Sequence, residues 1–330
     1  MNETEIKEPR NIQWMILHII CILVAAVMVV CVVLRRGDPP VPIAEAGIDY
    51  QEPMAQGLNV DLYRILQDSK YTDLKLFLLK EAALKEVKVE YQDKRFSILG
   101  DSISTYSGWI PEGYAQFFPM DGVVENVNDT WWKMLMDDTG LQFCANSSSS
   151  GSTCVGDSLS VDDPKYACSN YRIDALIGKD GSYPDVIIVY MGTNDLLTGA
   201  PLGENDGTQP VDEGTVVTFS DAYSLILDKL KSQYPGAQIF CCTLAQIGDW
   251  GVKKPFETFV NSLGLTAEDY SRRIEIIAEN KEVNVVDLIG CGITEDNMQR
   301  YVIDGVHLNT SGMKLVRDAV ENVVISSLTD

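Results

Sequence analysis

Two histidines occur in 330 residues, and only one stands where it can do aqueous chemistry. His18 lies in an uncharged apolar run near the N-terminus, so imidazole chemistry elsewhere in the chain falls to His307. Multi-histidine metal sites, HExxH zinc included, are thereby excluded. His307 closes the block Asp304-Gly-Val-His307, which sets a carboxylate three residues from an imidazole and suits a base with its orienting acid. Three further blocks carry complementary groups. Gly100-Asp101-Ser102-Ile103 offers a sharp turn and a hydroxyl, and Gly192-Thr193-Asn194-Asp195 offers a side-chain amide donor. Asn146 to Ser152, with four consecutive serines before Gly151, is a small-residue loop whose backbone N–H groups can approach a ligand closely. Serine is a weak nucleophile near neutral pH until a base takes its proton. Ser102, His307 and Asp304, with amide donors nearby, are the groups an acyl-transfer site requires.

Taken singly, each block has an ordinary structural use as a turn, a cap or a surface pair. Their weight comes from the elements that precede them. From about residue 95, short β-rich runs alternate with longer amphipathic segments, the pattern of a parallel sheet covered by helices on both faces. The spacing predicts strands at Phe96–Leu99, Leu141–Ala145, Asp185–Met191, Gln238–Leu244 and Val283–Leu288. Helices are expected over Thr130–Met136, from an N-cap at Ser220 through Lys231, from Thr266 through Ala278, and from Thr310 or Ser311 onward. Ligands of open α/β sheets bind at the carboxyl ends of the strands, and the chemical blocks follow the predicted strands in order. Asp101 and Asp195, flanking the working residues, are expected to brace their loops.

With these four blocks in this order, residues 95–330 resemble the SGNH/GDSL hydrolase family, named for a Ser, a Gly, an Asn and a His in four sequence blocks. Gly100-Asp101-Ser102 is similar to the first block, Gly151 to the second, Gly192-Thr193-Asn194-Asp195 to the third and Asp304-x-x-His307 to the last. The first block reads GDSI where the family has GDSL. The resemblance implies a flavodoxin-like three-layer α/β/α sandwich with a five-stranded parallel sheet. It also implies a serine esterase with Ser102, Asp304 and His307 as catalytic residues, and an oxyanion hole from the Ser102 and Gly151 N–H groups and the Asn194 amide. A literal Gly156-Asp157-Ser158-Leu159 occurs farther along, but it follows no buried β-run, so Ser102 is taken as the nucleophile and Ser158 as a loop residue. No GxSxG elbow, Walker A loop, CxxC pair or dinucleotide glycine motif is present.

The expected substrate is an acyl ester, with short-chain O-acetyl esters of a carbohydrate, a cell-envelope component or a small molecule foremost. Lipid acyl-ester cleavage or acyl transfer at a membrane, and a catalytically silent glycan-binding module, stand as alternatives. No cofactor and no metal is expected. The aromatics of Tyr106–Phe118 either line a cleft or pack under a long loop, and the loop from Leu196 to Gly214 is a candidate wall.

Trp14 to Leu34 is an uncharged run of 21 residues, long enough to cross a bilayer as a helix. It divides the chain into a tail (1–13), a transmembrane signal anchor (14–34), a linker or stalk (35–90) and a hydrolase domain (91–330). The charge balance flanking the run is nearly even, with the catalytic domain favoured outside the cytoplasm, on a bacterial cell surface. With 26 Lys+Arg against 48 Asp+Glu the net charge is -22, which disfavours nucleic acid as a partner because phosphate binding needs a basic face. Six of the eight cysteines lie beyond the apolar run; free thiols are the favoured state, with one bridge among Cys144, Cys154, Cys168 and Cys291 as the alternative.

Overall fold

The five apolar runs become five parallel strands of one sheet. A computed structural model describes residues 91–251 and 254–327. Its strands are β1 (Arg95–Gly100), β2 (Gln142–Ser148), β3 (Gly156–Asp157), β4 (Val186–Tyr190), β5 (Thr215–Val216), β6 (Gln238–Cys242) and β7 (Asn284–Val286). The α-helices are α1 (Trp131–Thr139), α2 (Asn170–Asp174), α3 (Thr193–Thr198), α4 (Phe219–Gln233), α5 (Ala267–Asn280) and α6 (Thr310–Ser326). The main sheet has the order β2-β1-β4-β6-β7, with every neighbouring pair parallel, while β3 and β5 form a separate two-stranded antiparallel ribbon.

Strand side chains alternate between two apolar layers, the period-2 signature of a sheet buried on both faces. Val186, Ile188 and Tyr190 of β4 join Phe240 and Cys242 of β6 in a cluster with Trp131, Trp132 and Leu135 of α1 and Val316 and Val320 of α6. Ile187, Val189, Ile239 and Cys241 point the other way, into Phe219, Ile226 and Leu230 of α4 and Ile274 and Ile277 of α5. Three layers result, as expected from the sequence. After β1 the chain adds β2 on one side and β4, β6 and β7 on the other, so the loops following β1 and β4 diverge. That divergence leaves a crevice at the carboxyl ends of these two strands.

Local details differ from the sequence expectation. The strand placed at Leu141–Ala145 continues to Ser148, so half of the serine-rich loop is sheet: Asn146, Ser147 and Ser148 pair with Ile98, Leu99 and Gly100. The last strand is shorter than Val283–Leu288. Helix α4 is capped by Thr218, not Ser220; the Thr218 hydroxyl accepts the Asp221 N–H at 3.3 Å, while Ser220 donates its hydroxyl to Leu202 O. Thr266 does cap α5, in a reciprocal capping box with Asp269. All six cysteines among the described residues are free thiols. The span expected at 14–34 lies outside the described residues, among which no helix is long and apolar enough to cross a membrane.

Candidate active site

Beyond β1, Gly100 turns the chain where nothing larger fits. A Cβ there would lie 2.6 Å from Ser148 Oγ and 2.8 Å from Ser104 Cβ, inside van der Waals contact. Asp101 follows as the N-cap of a single 3-10 turn, Ser102–Ser104, its Oδ1 accepting the Ile103 N–H at 3.0 Å. Ser102 heads that turn and is 4% exposed. Thr105 locks the turn from behind by donating its hydroxyl to Ser102 O at 2.8 Å.

His307 reaches Ser102 across 205 residues of sequence, its Nε2 lying 2.8 Å from Ser102 Oγ. On the far side Nδ1 lies 2.7 Å from Asp304 Oδ2, and the other oxygen, Oδ1, accepts the backbone N–H groups of Val306 (3.0 Å) and His307 (2.8 Å). Burial pushes the Asp304 carboxyl up, but hydrogen bonds from the His307 side chain and backbone outweigh it and hold the group below the usual carboxylate value. An ionised carboxylate only accepts, so Nδ1 carries the proton and Nε2 presents its lone pair to the serine hydroxyl. Gly305 lets this block pack against the loop after β6: a Cβ there would lie 2.7 Å from Asp249 O. Gly248 N–H donates to Gly305 O at 2.7 Å and Gly251 N–H to Asp304 O at 3.1 Å.

The loops that carry Gly151 and Asn194 follow β2 and β4. Ser149 N–H donates to Gly100 O, tying the loop after β2 to the end of β1, and the turn holding Gly151 is closed by Ser152 N–H onto Ser149 O at 3.2 Å. Asn194, in the first turn of α3, donates one Nδ2 hydrogen to Ser152 O at 2.9 Å. Its second hydrogen stays available, since a primary amide has two. Asp195 accepts Cys154 N–H (2.7 Å) and Val155 N–H (3.1 Å), which clamps the Gly151 loop to the Asn194 loop. Asp101 and Asp195 therefore both brace loops. Burial pushes Asp101 up to about 6 and Asp195 to about 7.

Ser158 of the literal GDSL sequence is occupied elsewhere. Its hydroxyl accepts Gly214 N–H at 2.9 Å and its N–H donates to Gly214 O at 2.8 Å, locking the β3–β5 ribbon.

Several contributors are invisible in the blocks. Arg172 of α2 is fully buried beneath the site and donates to Gly100 O (2.7 Å), Ser147 O (2.6 Å) and Pro164 O (2.6 Å), fastening the ends of β1 and β2 together. Burial lowers its guanidinium to about 10, so it stays charged at neutral pH. Of the aromatics after Ser102, Trp109 packs on Trp132 and Phe143, and Tyr114 and Phe118 are buried. Phe117 alone meets the chemistry, stacked on the His307 ring. The Leu196–Gly214 segment lends Leu197 and Thr198 to a wall facing Asp249 and Trp250, while its later part leans on α5 through Asn280 Nδ2 onto Asp206 O at 2.9 Å.

Residues 94–253 match the model of the GDSL-like lipase/acylhydrolase family. The chain carries a GDSL-like lipase/acylhydrolase domain. A GDSL-like lipase/acylhydrolase is an ester-hydrolysing enzyme, and the matched stretch holds Ser102, Gly151 and Asn194, while Asp304 and His307 are joined to them by the fold. Solved structures with the same fold include a GDSL-like lipase from Bacteroides uniformis (24% identity, covering 69% of this chain and 94% of that one, TM-score 0.50). A protein from Lactobacillus plantarum is 22% identical over 71% of this chain and 98% of its own, with a TM-score of 0.53. A GDSL-like lipase from Bacteroides ovatus is 21% identical over 69% and 96%, with a TM-score of 0.50. No curated protein matches the chain.

Proposed function

We propose that this domain is a serine esterase that removes short acyl groups, such as acetyl, from a carbohydrate, a cell-envelope component or a small molecule. Ser102 Oγ attacks the ester carbonyl as His307 Nε2 takes its proton, and Asp304 stabilises the imidazolium. The tetrahedral oxyanion accepts hydrogen bonds from the Ser102 and Gly151 N–H groups and from the free Asn194 hydrogen. On collapse the proton passes from His307 to the leaving alcohol oxygen. Water then repeats the sequence on the acyl-enzyme, releasing the acid and restoring Ser102. The observation that carries this reading is the unbroken run Ser102 Oγ, His307 Nε2, His307 Nδ1, Asp304 Oδ2, with links of 2.8 Å and 2.7 Å. The 4% exposure of Ser102 and the Phe117 ring over His307 leave little room at the nucleophile, which favours a short acyl group.

The test is labelling of the full-length protein with a fluorophosphonate. Ser102→Ala is expected to abolish the adduct and Ser158→Ala to leave it intact; the reverse pattern would overturn the assignment. An anchor at residues 14–34 with the domain outside the cytoplasm belongs to the same proposal, supported by the uncharged run. Protease digestion of the domain on intact cells tests it, and full protection would count against it.

A further inference from the structure

One aromatic beside the site is largely exposed. Trp250 is 61% exposed, yet the backbone around it is held firmly. Gly248 and Thr258 form an antiparallel bridge, Asp249 N–H donates to Glu257 O at 3.1 Å and Phe259 N–H to Ile247 O at 3.1 Å. The same loop is bonded to Asp304 O through Gly251 and to Gly305 O through Gly248. Trp250 is thus carried on the block that holds His307. Facing it are Asn194, Leu197 and Thr198 of α3, which with Asp249, Trp250 and Phe259 line a cleft of about 380 Å³. This cleft runs from the amide expected at the oxyanion to the loop seated on the acid and base.

The lining pairs aromatic faces with hydrogen-bonding groups, a combination that fits a ring with an apolar C–H face and polar edges. A hydrocarbon chain would leave the Asp249 carboxylate unmatched. An anionic alcohol would meet that carboxylate on a chain whose net charge is -22. A neutral pyranose suits all three features. The side of the site is fixed by the proton path: the leaving oxygen must reach His307, so the alcohol portion lies toward the 304–307 block and its packed loop.

We propose that this cleft is a subsite for a neutral pyranose forming the alcohol portion of the ester, with Trp250 stacking under the sugar ring and Asp249 accepting a sugar hydroxyl. The proposal rests on the esterase reading for its place in the reaction, and binding can be tested without it. In full-length protein, Trp250→Ala is expected to lower kcat/KM for a monoacetylated methyl pyranoside by at least about tenfold while turnover of ethyl acetate, whose alcohol is too small to reach the cleft, stays within about twofold. Retained ethyl acetate turnover also reports an intact fold. Losses of equal size on both esters, or no loss on the pyranoside, overturn the subsite. Should the wild-type protein hydrolyse neither ester, the esterase reading falls and binding alone decides. Methyl glycosides of glucose, galactose, mannose, xylose and N-acetylglucosamine are then titrated against Ser102→Ala, with tryptophan fluorescence as the readout. A change with at least one glycoside that disappears in the Ser102→Ala, Trp250→Phe double variant supports the subsite. No change with any of them, or a change that survives in the double variant, overturns it.

Discussion

The Phe117 ring lies parallel to the His307 imidazole, with centroids 3.4 Å apart and planes inclined by 10°. Thr105 makes this stack part of the nucleophile turn: its hydroxyl donates to Ser102 O and accepts Phe117 N–H at 2.9 Å. An aromatic face carries partial negative charge, so it favours the imidazolium that forms as Ser102 gives up its proton. Phe117→Leu keeps the bulk and loses the quadrupole. We expect kcat for a simple acetyl ester to fall about three- to thirtyfold with KM nearly unchanged, and Phe117→Tyr to retain most activity. Steady-state kinetics on the three proteins checks this, and an unaltered kcat in Phe117→Leu would reduce the stack to packing.

Asn194 separates donor from spacer. Because one of its Nδ2 hydrogens holds Ser152 O, a carboxylate at this position would face the carbonyl of Ser152 on one side and the developing oxyanion on the other. Asn194→Ala is expected to cost about 10² to 10³ in kcat, the usual loss for one oxyanion donor. Asn194→Asp should be worse still. Equal rates for the two variants, measured on a small acetyl ester, would remove the amide from the oxyanion site.

Arg172 should matter to folding before it matters to rate. Its guanidinium satisfies the buried carbonyls of Gly100 and Ser147 and the part-buried one of Pro164, from a position with no exposed surface. A lysine has the charge without the planar fork, so it cannot serve all three at once. Arg172→Lys and Arg172→Met are both expected to lose about 3 to 5 kcal/mol, the cost of stranding buried polar groups. Urea denaturation checks the magnitude, and a loss below about 1 kcal/mol would mean the ends of β1 and β2 are held by other contacts.

Arg172 also marks where the sequence stops being readable. The strands were legible because a sheet buried on both faces turns each one into an unbroken apolar run, as in Val186–Tyr190. Asp304 and His307 were legible because they are three residues apart, and Ser102, Gly151 and Asn194 because each follows such a strand. Arg172 binds Gly100 across 72 residues and Phe117 meets His307 across most of the domain, so no local pattern announces either. The serine run misled for a related reason. Small hydroxyls are read as solvated loop, yet Ser147 is buried, donates its hydroxyl to Arg172 O at 2.9 Å and pairs with Leu99 in the sheet. Residue type alone points to Ser220 as the cap of α4, and Thr218 holds that place while the Ser220 hydroxyl is engaged by Leu202 O.

The buried carboxylates give the domain a pH dependence whose sign can be stated. Burial raises Asp101 from 3.8 to about 6, against the opposing pull of Ile103 N–H, His307, the Thr193 hydroxyl and Arg172. A folded state that holds this proton more tightly than the unfolded chain gains stability below about pH 4 and loses it as pH rises toward 6, after which the contribution is flat. A shift of about two units corresponds to about 3 kcal/mol between the two limits. Asp304 acts in the opposite sense, because its lowered pKa gives stability above the ordinary carboxylate value that is lost in acid. Asp101→Asn isolates the first effect: the amide oxygen can still cap Ile103 N–H, and the buried charge is gone. In urea denaturation at pH 4 and pH 7, the variant's stability is expected to decline less between the two pH values than that of the wild-type protein, by about 2 to 3 kcal/mol. An identical decline in both proteins would mean that Asp101 is no harder to ionise in the folded chain than in the unfolded one.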